Sequence, residues 1–207
     1  MRNRRNIPPR GKPKVAVVVE GETEAWYLTM LNRNEHNAKF QIKPEIPQRK
    51  SLTDQYDKVQ SLAKDYDHVI WMIDMDVILK ETREAKKGQL RPLDEFLKYK
   101  DSLDSVSNVT VIINQPCIEF WLLLHFEFTN APFEDCARAE IRLIKHLTDY
   151  AKTQKYYTRE GDDIYLKLKE QLPPAIANSK RFGDFDPENP DRGYSAMHKL
   201  YGILGLS

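Results

Sequence analysis

The chain has 207 residues, of which 41% are apolar and 30% charged, and its 32 lysines and arginines nearly cancel its 31 aspartates and glutamates. This length suits one α/β domain with a helical extension. The balanced charge excludes a uniformly basic nucleic-acid coat, so any such surface must be local. Two cysteines are too few for a disulfide framework or an all-thiolate metal site, and both read as reduced core residues. A signal-peptide pattern and a twenty-residue apolar stretch are both absent from the sequence, so a cytoplasmic protein with no membrane association is expected.

Residues 1–13 form a basic arm carrying Arg2, Arg4, Arg5, Arg10 and Lys12 between prolines, with Lys14 just beyond it. Such an arm serves either as a phosphate contact or as a solubilising tail. Residues 15–19, all apolar and mostly valine, predict a strand buried on both faces. Glu20 ends it, Gly21 makes the turn, and residues 22–32 predict a helix. Residues 40–47 predict a strand that Pro44 confines to an edge. A helix over 53–65, capped by Ser51 or Thr53, leads to a central strand over 68–73. A polar segment over 80–88, a helix over 93–103 and a strand over 109–113 follow. Pro116 then opens a helix through Glu119 and His125. Beyond Phe133 the chain reads as helical, with a loop over 184–193 before a final helix. The alternation predicts an open, mostly parallel sheet flanked by helices, with right-handed crossovers, over 14–130 and a mainly helical extension over 131–207.

The informative residues are acidic. Glu20, Asp74 and Asp76 follow apolar strands, and parallel sheets bind ligands at the carboxyl ends of their strands. Carboxylates gathered there repel one another unless a cation neutralises them, which points to a hard ion such as Mg2+ or Mn2+. Asp74 and Asp76, two apart, would face one side of a regular strand, and Glu24 would point back toward Glu20 from the first helical turn. The plainer alternative is that these acids complement helix dipoles or cap helices. Glu119 shares a face with Leu122, Leu123 and Phe126, an apolar setting that makes it a further ligand, a general base or a first-turn glutamate. Asn114 is expected to cap the helix, and His125 to be a core histidine. Arg159 and Lys180 are candidates for contacting a phosphoryl group.

The glutamate–glycine pair after the first strand and the Asp-x-Asp after the central one resemble the Toprim domain of topoisomerases, primases and overcoming-lysogenization-defect nucleases. A longer similarity, carried by Val18-Val19-Glu20-Gly21-Glu22-Thr23-Glu24, Asp74-Met75-Asp76 and Asn114-Gln115-Pro116-Cys117-Ile118-Glu119-Phe120-Trp121, resembles the RloB family of bacterial defence proteins. The resemblance implies a Toprim-like fold, a metal-dependent nuclease with DNA as the favoured substrate, a role in anti-phage defence, and an AAA-type ATPase as partner. It also implies a Tyr-x-Lys pattern in a region matched to Tyr157-Thr158-Arg159 and Asp163-Ile164-Tyr165-Leu166-Lys167-Leu168, with Arg159 in the lysine position of the first. Glu20, Asp74 and Asp76 would then hold one or two cations, with Glu24 and Glu119 completing the site. A phosphatase of the haloacid dehalogenase type is a poorer fit, because a strand precedes the one bearing Asp74. A non-catalytic Toprim-like subunit that binds nucleic acid or regulates an ATPase is the alternative function. The chain has no Walker phosphate loop, so ATP hydrolysis would belong to another chain.

Overall fold

A computed structural model describes residues 13–206; the arm residues Arg2 to Lys12 lie outside the described residues. Its elements in chain order are β1 (Lys14–Val18), α1 (Glu22–Asn34), β2 (Gln41–Glu45), α2 (Leu52–Leu62), β3 (His68–Asp74), α3 (Asp76–Glu84), α4 (Pro92–Asp104) and β4 (Val109–Gln115). Then come α5 (Ile118–Leu123), α6 (Cys136–Ile144), α7 (Gln154–Tyr157), α8 (Ile164–Leu168), α9 (Leu172–Lys180), β5 (Tyr194–Ser195) and α10 (His198–Leu204).

The five strands lie in the order β2-β1-β3-β4-β5. The first four are parallel and β5 is antiparallel. Val15 to Val19 and Val69 to Trp71 are wholly buried, as expected of strands covered on both faces. β2 takes the edge, where Pro44 lies opposite Val17 and its missing N–H interrupts no inner ladder. The connection from β1 leads outward to β2, whereas the next returns past β1 to β3. The carboxyl ends of β1 and β3 therefore flank the point where the winding reverses, the usual ligand crevice of such sheets.

Four expectations are corrected. Residues 76–84 form a helix, so Asp76 opens α3 while Asp74 ends β3, and the two do not share a strand face. The loop over 184–193 is present, but between it and the final helix lies β5, a strand that extends the sheet where only helix was expected. Asn114 does not cap a helix: it is buried in β4, where its Oδ1 accepts from Ser195 Oγ at 2.8 Å. Cys117 and Cys136 are joined as a disulfide rather than lying free, because α5 and α6 pack with their first turns together.

Polar side chains, most of them buried, fix the helices that carry acidic residues. Ser51 Oγ caps α2 by accepting from Asp54 N at 3.1 Å. The α2 residue Gln55 accepts from Trp71 Nε1 at 2.8 Å, tying that helix to β3. Trp121 Nε1 donates to Tyr27 Oη at 2.8 Å, and Tyr27 meets Tyr201 at 2.5 Å. This chain of contacts joins α5, α1 and α10 and sets the rotation of α5, on which Glu119 stands. All three aromatic residues are wholly buried, and truncating Trp121 to alanine would cost about 3–5 kcal/mol.

Candidate metal centre

Glu20 stands two residues past the end of β1, and Gly21 is the N-cap of α1. Gly21 N donates to Glu24 Oε2 at 3.0 Å, which folds the Glu24 side chain back over the turn. A Cβ on Gly21 would stand 3.2 Å from that oxygen, so glycine is suited here by close approach rather than by an unusual φ. Glu24 is 6% exposed and Glu20 half-buried.

Asp74 ends β3 beside Asn114 of β4. Its Oδ2 accepts from Ile118 N at 3.3 Å, a contact at the start of α5, while its buried Oδ1 has no hydrogen-bond partner. Asp76 is half-buried; its Oδ1 accepts from Val77 N at 2.8 Å and its Oδ2 lies 3.1 Å from Cys136 Sγ. That sulfur is in the disulfide and has no proton to give.

Glu119, in the first turn of α5, is wholly buried. Tyr150 Oη donates to its Oε1 at 2.7 Å, and Lys152 Nζ stands 2.8 Å from the same atom. Its Oε2 is buried and unpartnered. Glu119 is thus a first-turn glutamate that is buried and paired rather than solvated.

These side chains share one electrostatic field. Burial, followed by repulsion from Glu24 and Asp76, pushes the Glu20 carboxyl up to about 8, although Gln55 and the Asp74 backbone partly oppose this. Asp74 is held far above the usual carboxylate range by burial and then by Glu24, Glu20, Glu119 and Asp76. Glu24 is raised by burial and by Glu119, and Asp76 chiefly by burial. Lys152 is drawn down by its partial burial, but Glu119 outweighs this and holds the ammonium charged. Several carboxyls thus meet one near cation, an arrangement that favours binding a further positive charge.

The donors suit a hard cation: all are carboxylate oxygens, and two of the oxygens are buried without partners. They surround the crevice rather than converging on a point. Among the described residues, the three donor atoms that do gather within 4.8 Å belong to Cys117, Glu119 and Cys136.

Two clefts approach the ring from either side of Val77. One is lined by Glu20, Lys50, Ser51 and Gln55, the other by Asp76, Lys80, Arg83, Asp135 and Asp191. Arg83 pairs with Asp191 at 2.9 Å.

The other expected residues stand apart from the ring. Arg159 is exposed and pairs with Asp162 at 3.3 Å; Lys180 is the exposed last residue of α9. The cation beside the carboxylates is Lys152 instead. A weak signal was present in the sequence, because Tyr150-Ala151-Lys152 meets the Tyr-x-Lys pattern, although Tyr165-Leu166-Lys167 meets it equally. His125 is a core residue: Nδ1 lies 3.1 Å from Trp121 O, and burial lowers the ring to about 4.

Fold and site together define an α/β protein whose parallel strands present a carboxylate ring at the reversal of their winding. The model of the RloB-like protein family matches residues 15–204, and the chain belongs to that family. No curated protein and no solved structure matches it. Among the described residues, no helix is long and apolar enough to cross a membrane.

Proposed function

We propose that this protein is a metal-dependent nuclease that hydrolyses phosphodiester bonds, with Glu20, Asp74 and Asp76 as the principal ligands of Mg2+ or Mn2+ and Glu24 beside them. The carrying observation is the set of buried and half-buried carboxyls around Asp74, whose Oδ1 lacks any partner, with Lys152 paired to Glu119 beside them. When bound, the cation would supply neutralisation of phosphoryl charge and a water of lowered pKa. Glu119 Oε2, buried and unpartnered, is suited to take a proton from the attacking water, while Tyr150 and Lys152 fix the other oxygen. Lys50 and Lys80 line the approaches among more numerous carboxylates and would contact phosphate oxygens without reading sequence.

DNA is the favoured polymer, and the biological setting is anti-phage defence beside an AAA-type ATPase; both rest on family resemblance. Purified protein should cleave supercoiled plasmid, single-stranded DNA or RNA when Mn2+ or Mg2+ is supplied. Glu20→Ala and Asp74→Ala should abolish the cleavage while the fold persists by circular dichroism. If wild type cuts none of the three, even with the ATPase added, the protein is instead a binding or regulatory subunit.

A further inference from the structure

Cys117 Sγ, Cys136 Sγ and a carboxylate oxygen of Glu119 lie within 4.8 Å of one another, on the wall of the crevice that holds Asp74 and Asp76. Two atoms that each bind one zinc-class ion at about 2.0–2.3 Å can be no more than ~4.6 Å apart, so small side-chain movements would bring all three donors onto a common ion. Asp76 Oδ2, 3.1 Å from Cys136 Sγ, stands in position as a fourth. Glu119 supplies an independent sign of a missing partner: it is wholly buried, Tyr150 and Lys152 both occupy its Oε1, and its Oε2 has none. The donors sit on well-anchored positions. Cys117 is the N-cap of α5, and Cys136 opens α6, whose N-cap Asp135 accepts from Arg138 N at 3.0 Å. Cys136 is partly exposed, and the cleft lined by Asp76, Glu134, Asp135 and Asp191, whose acids outnumber its cations Lys80 and Arg83, gives an entry path for a cation.

We infer that reduction of the Cys117–Cys136 disulfide opens a second cation site, made of both thiolates, Glu119 and Asp76, that takes a zinc-class divalent ion rather than Mg2+. A dithiol supplies two electrons and two protons to break the Sγ–Sγ bond and is itself oxidised to a disulfide. Binding of the ion then releases both thiol protons to solvent as the two metal–sulfur bonds form. Thiolates prefer Zn2+ and Co2+ over Mg2+, because soft donors select the later divalent metals. The disulfide uses up both sulfurs, so the site exists only in the reduced protein. The inference does not rest on hydrolytic activity.

Co2+ titration of the full chain, reduced with a phosphine and kept free of oxygen, tests it by absorbance. A thiolate-to-cobalt charge-transfer band should grow to one Co2+ per chain, bleach on adding Zn2+, and survive excess Mg2+. The same protein oxidised with a diazene should give no band. The chain contains only these two cysteines, so the band has no other intramolecular source. Cys136→Ser should weaken Co2+ binding at least about tenfold, as should Glu119→Gln, each checked for fold by circular dichroism. Two results would overturn the inference. One is the absence of a band in reduced wild type while both thiols still react with a thiol reagent in the presence of equimolar Zn2+. The other is a band whose affinity Glu119→Gln leaves unchanged.

Discussion

Glu20→Gln should stabilise the metal-free protein and at the same time remove its stabilisation by metal. Glu20 has a folded value of about 8 against an ordinary 4.5, raised by burial and by Glu24 and Asp76. A group raised in this way contributes stability that is complete below about pH 4.5 and is lost as the pH climbs to 8. At about 1.4 kcal/mol per pH unit, the loss is on the order of 5 kcal/mol as an upper bound. Glu20 is only half-buried and its neighbours titrate with it, so about 2–4 kcal/mol is a realistic share. Glutamine keeps the shape without the charge and also relieves the repulsion on Asp74. His125 acts in the opposite direction at lower pH: held at about 4, it costs stability as the pH falls below 6.5. The comparison therefore belongs between pH 6.5 and 8, where the carboxylates titrate and His125 does not. Urea unfolding in chelator should show wild-type stability falling across that window and the variant staying flatter and more stable at pH 8. Mn2+ should raise the wild type and leave the variant nearly unmoved. The reasoning fails if the variant is less stable than wild type at pH 8 in chelator, or if its slope with pH is unchanged.

Lys152→Met should destabilise by about 1–3 kcal/mol in urea unfolding, because Glu119 loses the cation 2.8 Å from its Oε1; the partial exposure of Lys152 moderates the usual cost of breaking a buried pair. Adding Glu119→Gln to that variant should recover most of the loss, and a double-mutant cycle with no coupling would contradict the pairing. Gly193→Ala would place a Cβ 2.5 Å from the Phe120 ring and 3.1 Å from Phe133, an overpacking worth about 1–3 kcal/mol and visible as a Tm roughly 2–10 °C lower. The His125 ring should stay neutral from about pH 5 upward in NMR titrations; an ordinary midpoint near 6.5 would show that the ring is not in the core.

What the sequence revealed follows from how local each cause is. β1 and β3 were readable because a strand buried on both faces needs continuous apolar residues, and Val15 to Val19 and Val69 to Ile73 are such runs. Pro44 announced an edge strand through its missing N–H, and Ser51 announced a cap through its hydroxyl. α3 was hidden because its exposed face carries Lys80, Glu81 and Glu84, while only Ile78 and Leu79 are buried. β5 has two residues, and its pairing with Asn114 and Gln115 is a tertiary event with no periodic pattern. The acidic side of the site could be read residue by residue from strand ends. Its cation left only the short Tyr150-Ala151-Lys152 match, and its place was hidden, since Lys152 lies in the extension and reaches Glu119 only where α7 and α8 fold back on α1. The disulfide likewise depends on the packing of α5 against α6, not on the 19-residue spacing.

The central claim is that these carboxylates hold a divalent cation, and the most direct measurement is the loss of the free Mn2+ electron paramagnetic resonance signal as protein is added. The account predicts that wild type, with its disulfide intact, removes one or two Mn2+ per chain, that Mg2+ competes, and that Asp74→Asn and Glu20→Gln each abolish most of the uptake while remaining folded. Wild type that leaves the free Mn2+ signal undiminished, or variants that take up Mn2+ as well as wild type does, would contradict it.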